Sequence, residues 1–162
     1  MELKILTSIA EVDAGQWNRV AGTANPFLRY EFLSALEDNT CVGERHGWLP
    51  RHLLAFDESG RLTGAVPMYL KDNSYGEFVF DWAWADAYQR AGLSYFPKLV
   101  SAVPYTPVTG ARVLCRPERR AEIFPRLLNA ALQLAEKIGA SGFHCLFPSR
   151  DEHRLFEQEG LL

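Results

Sequence analysis

The sequence predicts an α/β domain of the α+β type, in which helices layer against a central sheet. Three patterns carry that prediction. An alternating pair of strands closes through Asp57-Glu58-Ser59-Gly60. A long helical repeat over 119–138 is followed by one late strand near 142–147. Two short helices with start and stop chemistry lie ahead of the hairpin.

Leu3 and Ile5 alternate with Glu2 and Lys4, which predicts a first strand over 3–9. Asp13 with Gln16 three residues on reads as a capping box, Val12 and Trp17 as a hydrophobic staple, and Gly22 as a stop. Asn25-Pro26 is a turn signal, and Phe32, Leu33 and Leu36 give a second helix over 30–37 its apolar face. Strands are expected over 51–57 and 61–70, the second carrying Pro67, which belongs at an edge or a bulge.

Residues 77–80 read as a short strand running into a helix that Asp81 or Trp82 opens and Gly92 ends. Strands follow over 98–103 and 112–115. Phe124, Leu127, Leu128, Ala131, Leu134, Ala135 and Ile138 keep helical spacing, and Pro125 places the regular start near 122–124, because proline fits only a first turn. Gly139 is suited to the left-handed residue after the helix. Ser149 and Glu152 form a second capping box, and Gly160 closes the last helix.

At 162 residues, with 48% apolar and 23% charged side chains, the chain reads as one domain over 1–162. A net charge of −3 and scattered Lys and Arg residues argue against a DNA partner. Arg116, Arg119 and Arg120 are the densest basic group and read as a solvated helix start. Cys41, Cys115 and Cys145 are odd in number and far apart, which points to a reducing, cytoplasmic setting. The N-terminus lacks signal-peptide features, and no run approaches the roughly 18 apolar residues of a membrane span. Leu161-Leu162, just past a helix stop, reads as a strand cut off from a longer chain, whose exposed edge would favour a homodimer.

The chemistry concentrates between Lys71 and Arg112. Nine aromatic residues, among them Tyr75, Phe78, Phe80, Trp82, Trp84 and Tyr105, interleave with Lys71, Asp81, Asp86, Arg90 and Lys98. Such mixed walls match a ligand cleft, or else a core with solvated charges at its strand ends. Asp81 and Asp86 are the acidic candidates, for proton transfer or for holding an amine, with a helix N-cap the structural role for Asp81. Thr109-Gly110-Ala111-Arg112 is the one glycine turn with phosphate-binding potential, a plain turn being the alternative. His144 and Cys145 alternate in a strand and point apart, so no thiol–imidazole pair is expected. The four histidines lack metal-site spacing, and neither a serine elbow nor a P-loop is present.

The stretch GEFVFDWAWADAYQRAGLSYFPKLVSAVPYTPVTGAR, with NPFLRYEFLSALED and GWLPRHLL before it, resembles FemAB-like proteins. These are bacterial peptidoglycan biosynthesis or recognition proteins with the GNAT acyl-CoA N-acyltransferase fold. The resemblance implies a GNAT-like mixed central β-sheet with helices on both faces, and covers the first half of a typical two-half member. It also implies transfer of an acyl or aminoacyl group to a small-molecule or peptide amine, either by this half or with this half inactive alone. The donor would be an acyl-CoA or an aminoacyl-tRNA, with its pyrophosphate held near 103–110. On that basis Asp81 and Asp86 would orient or deprotonate the amine. Lys71, Trp82, Trp84, Tyr105 and Arg112 would contact acceptor or phosphate, and Thr109 and Gly110 would donate to the donor. The alternative is a non-catalytic module that binds a peptide or a peptidoglycan precursor.

Overall fold

A computed structural model describes residues 1–161. Its spine is one long hairpin that runs through two sheets. One arm comprises β2 (Leu49–Pro50) and β3 (His52–Phe56), the other β4 (Leu62–Val66) and β5 (Met68–Lys71). Pro67 interrupts the second arm where one sheet gives way to the other, and Arg51 keeps the arms together by donating to the Met68 carbonyl. β1 (Glu2–Leu6) and β7 (Leu114–Cys115) flank the first sheet in the order β1-β3-β4-β7. β6 (Lys98–Ser101) and β8 (Phe143–Cys145) complete the second as β2-β5-β6-β8, the β6–β8 pair being parallel. The second sheet is therefore mixed, as expected of the central sheet, whereas every pair in the first is antiparallel.

Alternation along β3 and β4 dictates the layers. Leu54 and Ala65 face α1 (Ala14–Ala21) and α2 (Tyr30–Asp38), which bury Trp17, Val20 and Leu33, with Leu28 of the 3-10 turn between the two helices. Leu53, Ala55 and Val66 face α4 (Arg120–Lys137), whose Phe124 stacks on Phe156 of α5 (Arg150–Gln158). Helices thus cover both faces. Gly64 is required by the close approach of α4, since a Cβ there would lie 2.5 Å from Ile123 and 2.9 Å from Leu127.

Several expectations are corrected locally. The first strand stops at Leu6 because Ser8 and Glu11 form a capping box around a 3-10 turn. Asp13 caps α1 as expected, but Gln16 reaches instead to the Leu62 N–H at 2.9 Å, tying helix to hairpin. Ser149 likewise caps α5 while Glu152 turns away to the Arg112 and Val113 N–H groups. The long helix begins at Arg120, so Pro125 sits inside it rather than in its first turn. No strand forms over 77–80, where Phe78 adopts φ +58° and Glu77 turns inward. The late strand spans Phe143–Cys145, and Phe147 leaves it at φ +52°. The strand expected at the C-terminus falls partly on Leu162, outside the described residues; Leu161 packs against the α4–α5 core.

Candidate functional site

Between β5 and β6 the chain leaves the sheet for residues 72–97, and this excursion carries most of the aromatic run. Two lysines fix its ends. Lys71 and Lys98 are cross-strand partners where the ladder stops, and both are fully buried. Two buried cations side by side repel, so each needs its own compensation. Lys98 Nζ lies 2.7 Å from Glu77 Oε2 and 2.5 Å from Asp81 Oδ2, and donates to Ser74 Oγ at 3.0 Å. Lys71 Nζ sits 3.9 Å above the Trp48 ring and donates to the Tyr75 carbonyl. The Trp48 indole N–H donates to that same carbonyl at 3.0 Å. Together these contacts fold the excursion back onto the sheet.

Environment separates the charges. Burial pushes the Glu77 carboxyl up, and its Oε1 has no hydrogen-bond partner among the described residues. Burial also pushes Asp81 up, but hydrogen bonds from Lys98 and Tyr95 outweigh it and hold that carboxyl below its usual range. Burial lowers Lys71 to about 8 despite the nearby Glu77 carboxylate. The Tyr95 hydroxyl, donating to Asp81 at 2.7 Å, is raised by burial and by that bond.

On this base stands α3 (Trp82–Arg90), a helix with no buried residue. Tyr75, Phe80 and Trp82 are 78%, 80% and 67% exposed. Two cavities of about 440 Å³ each share a wall made by Trp82, Ala85 and Phe96. One is lined further by Tyr75, Phe78 and Phe80, the other by Asp86, Gln89, Leu93 and Tyr95. Asp86 is the only carboxylate lining either cavity among the described residues; its partner is Arg90, 3.0 Å away on the exposed helix face.

The sequence-predicted site residues therefore divide. Trp82 and Asp86 come together at the cavities. Asp81 occupies the N-cap position of α3 without capping it, because its carboxylate is held by Lys98 and Tyr95. Trp84 is exposed and lines neither cavity. Lys71 is fully buried, its ammonium against the Trp48 ring. The Tyr105 ring packs over Gly76, and its hydroxyl donates to the Cys41 carbonyl at 2.9 Å. Arg112 is fully buried, its guanidinium donating to the carbonyls of Val108, Ala111 and Leu146.

Thr109 is exposed, while the Gly110 N–H donates to the Phe147 carbonyl at 3.1 Å. With the Arg112 and Val113 N–H groups taken by Glu152, that turn has little left to cradle a phosphate. Glu77, Lys98 and Tyr95, which hold the excursion in place, were not among the expected site residues. The signal that could have found them is the pair of lysines bracketing 72–97, with Glu77 and Asp81 between them at helical spacing.

Residues 8–162 match the FemAB-like family, described as peptidoglycan biosynthesis/recognition. The chain belongs to that family. Among curated proteins no sequence matches. The FemAB-like fold is shared with solved acetyltransferases at low sequence identity. An aminoglycoside 6′-N-acetyltransferase AAC(6′)-Ig from Acinetobacter haemolyticus aligns with TM-score 0.58 and 10% identity, covering all of this chain and 91% of that one. The AAC(6′)-Ih enzyme from Acinetobacter baumannii gives 0.55 and 10%, covering 99% and 90%. An acetyltransferase from Trypanosoma brucei gives 0.53 and 16%, covering 99% and 92%. The FemAB-like chain thus has the N-acyltransferase fold. Among the described residues no helix is long and apolar enough to cross a membrane.

Proposed function

We propose that this domain binds the amine-bearing acceptor of an N-acyl transfer, a small amine or a peptidoglycan-type peptide, along the 72–97 excursion. The observation that carries the reading is Asp86, a carboxylate lining a cavity whose shared wall is Trp82 and Phe96. An ammonium group gains from an opposing carboxylate and from adjacent aromatic faces. The exposed Arg90–Asp86 pair is worth at most about 1 kcal/mol, so a ligand ammonium can displace it. The neighbouring aromatic cavity would take the apolar body of the acceptor. The donor on this reading is an acyl-CoA or an aminoacyl-tRNA, and the paired Gly110 N–H argues against the 109–112 turn as its cradle.

The test is a calorimetric titration with a muropeptide carrying a free amine, beside its N-acetylated form. The amine form should bind at least about tenfold tighter, because acetylation removes the charge that Asp86 meets. Equal affinity for the two forms would sink the proposal. A second reading, recognition without transfer, is favoured by Asp81, whose carboxylate is committed to Lys98 and Tyr95. Incubation of the bound amine with acetyl-CoA, and separately with an aminoacyl-tRNA, separates the two, since the N-acylated amine forms only by transfer.

A further inference from the structure

The first sheet ends in β1, whose outer edge pairs with no strand among the described residues. Four consecutive residues, Glu2 to Ile5, are exposed there, and Leu6 is buried. Leu3 and Ile5 lie opposite Ala55 and Leu53, and so extend the apolar row that α4 covers on β3. The helix does not cover them: they are 42% and 45% exposed, and Met1, where the strand begins, is 39% exposed. Free N–H and C=O groups beside an apolar row are a template for a further strand.

The charges of β1 say what that strand is. Glu2 and Lys4 share the other face, 3.5 Å apart, and Lys4 also lies over the Phe56 ring. Exposed contacts of this kind are weak, so both charges are available to a partner. Two copies of one strand can pair antiparallel about a two-fold axis. Outward-pointing backbone groups belong to every second residue, so paired residues share parity and the axis passes through a residue. Centred on Glu2 or on Lys4, it sets like charges against each other. Centred on Ile5, it sets Lys4 against Leu6. Centred on Leu3, it sets Glu2 against the partner's Lys4 twice, Leu3 against its own copy, and Met1 against Ile5. In that register charge meets opposite charge on one face, and apolar meets apolar on the other.

We propose that β1 is the docking edge for a second copy of this chain, paired antiparallel about Leu3 so that two four-stranded sheets become one continuous sheet. A lysine on an edge strand ordinarily keeps other strands away, and here Glu2 of the second copy answers it. A pair of five-residue strands buries less than the roughly 1,600 Å² of a standard interface, so the association is weak and concentration-dependent. This moves the dimer edge from the C-terminus, where the sequence reading placed it, to the N-terminal strand. The 72–97 excursion leaves from the second sheet, so the pairing is independent of the acceptor reading.

The experiment is sedimentation equilibrium of the whole chain across micromolar concentrations at low ionic strength, where exposed charges are least screened. Reversible dimerisation is expected. Glu2→Lys and Lys4→Glu each set like charges against each other at two places, and should each weaken it about tenfold or more. The double variant Glu2→Lys/Lys4→Glu reverses both signs and should dimerise as the parent does. An equimolar mixture of the two single variants should also associate, because each supplies the charges the other lacks. Both positions are exposed, so thermal midpoints should stay in place and keep the comparison valid. A monomer at every concentration overturns the proposal, as does a dimer that neither single variant weakens. Weakening that the double variant and the mixture both fail to recover overturns it too.

Discussion

Lys71 and Lys98 face each other as cross-strand partners at the open end of the β5–β6 ladder, and neither side chain is accessible to solvent. That pairing is tolerated because the excursion returns Glu77 and Asp81 to Lys98 and brings the Tyr75 carbonyl to Lys71, whose ammonium also rests on the Trp48 ring. The two lysines thus make the 72–97 segment a condition of the sheet's own stability. Lys98→Met would leave two carboxylates facing each other without a cation. It should destabilise the domain by about 3–5 kcal/mol, the range for breaking a buried pair. Denaturant unfolding checks this, and adding Glu77→Gln to that variant should recover part of the loss, since the remaining carboxylate repulsion goes with it.

The second lysine has a signature in pH. Its folded-state value near 8 lies below the ordinary 10.5, so the unfolded chain holds the proton more tightly across that window. Stability relative to Lys71→Met should therefore rise as pH goes from about 8 to about 10.5, by at most about 3 kcal/mol. Below pH 8 the full cost of the buried charge is present in the parent. Thermal midpoints of both proteins across that range decide it, and a constant difference would mean that Lys71 titrates normally.

The layers were legible in the sequence because their signals are local. Asp13, Gly22, Ser149 and Gly139 mark helix ends through their own backbone chemistry, and the 57–60 turn marks the hairpin. The site was half legible. Composition pointed to 71–112, yet it could not say that Asp81 turns inward while Asp86, five residues on, faces out. That difference depends on Lys98, which is distant in sequence from Asp81 and reaches it only once β5 and β6 pair. Arg112 misled for the same reason: its carbonyl partners at Val108, Ala111 and Leu146 exist only when the 102–113 loop lies along 146–149.

Gly76 should be irreplaceable where the excursion meets the sheet. Its φ of +77° is strained for any other residue, and a Cβ there would lie 2.6 Å from the Tyr105 ring and 3.2 Å from the Trp48 indole nitrogen. Gly76→Ala should cost about 2 kcal/mol or more in unfolding free energy, through backbone strain and overpacking together. Gly60, also at positive φ but with nothing within 4 Å of a Cβ, should lose less on the same substitution.

Asp81 and Asp86 should separate cleanly when each is changed to asparagine. Asp81→Asn weakens the contact with a buried ammonium, so its main effect should be on stability, with the excursion loosening and acceptor affinity falling as a consequence. Asp86→Asn removes an exposed charge paired only with Arg90, so its unfolding free energy should stay within about 0.5 kcal/mol of the parent. Its affinity for an amine acceptor should nevertheless drop about tenfold or more, because a charge-assisted contact to the ammonium is lost. If transfer occurs and Asp86 also takes the amine proton, turnover should fall by about 100-fold beyond that, the usual scale of general-base catalysis. Titration of both variants, with thermal unfolding alongside, gives the answer. An Asp86→Asn protein that binds amines as the parent does would remove this residue from the acceptor site and return the search to Asp81.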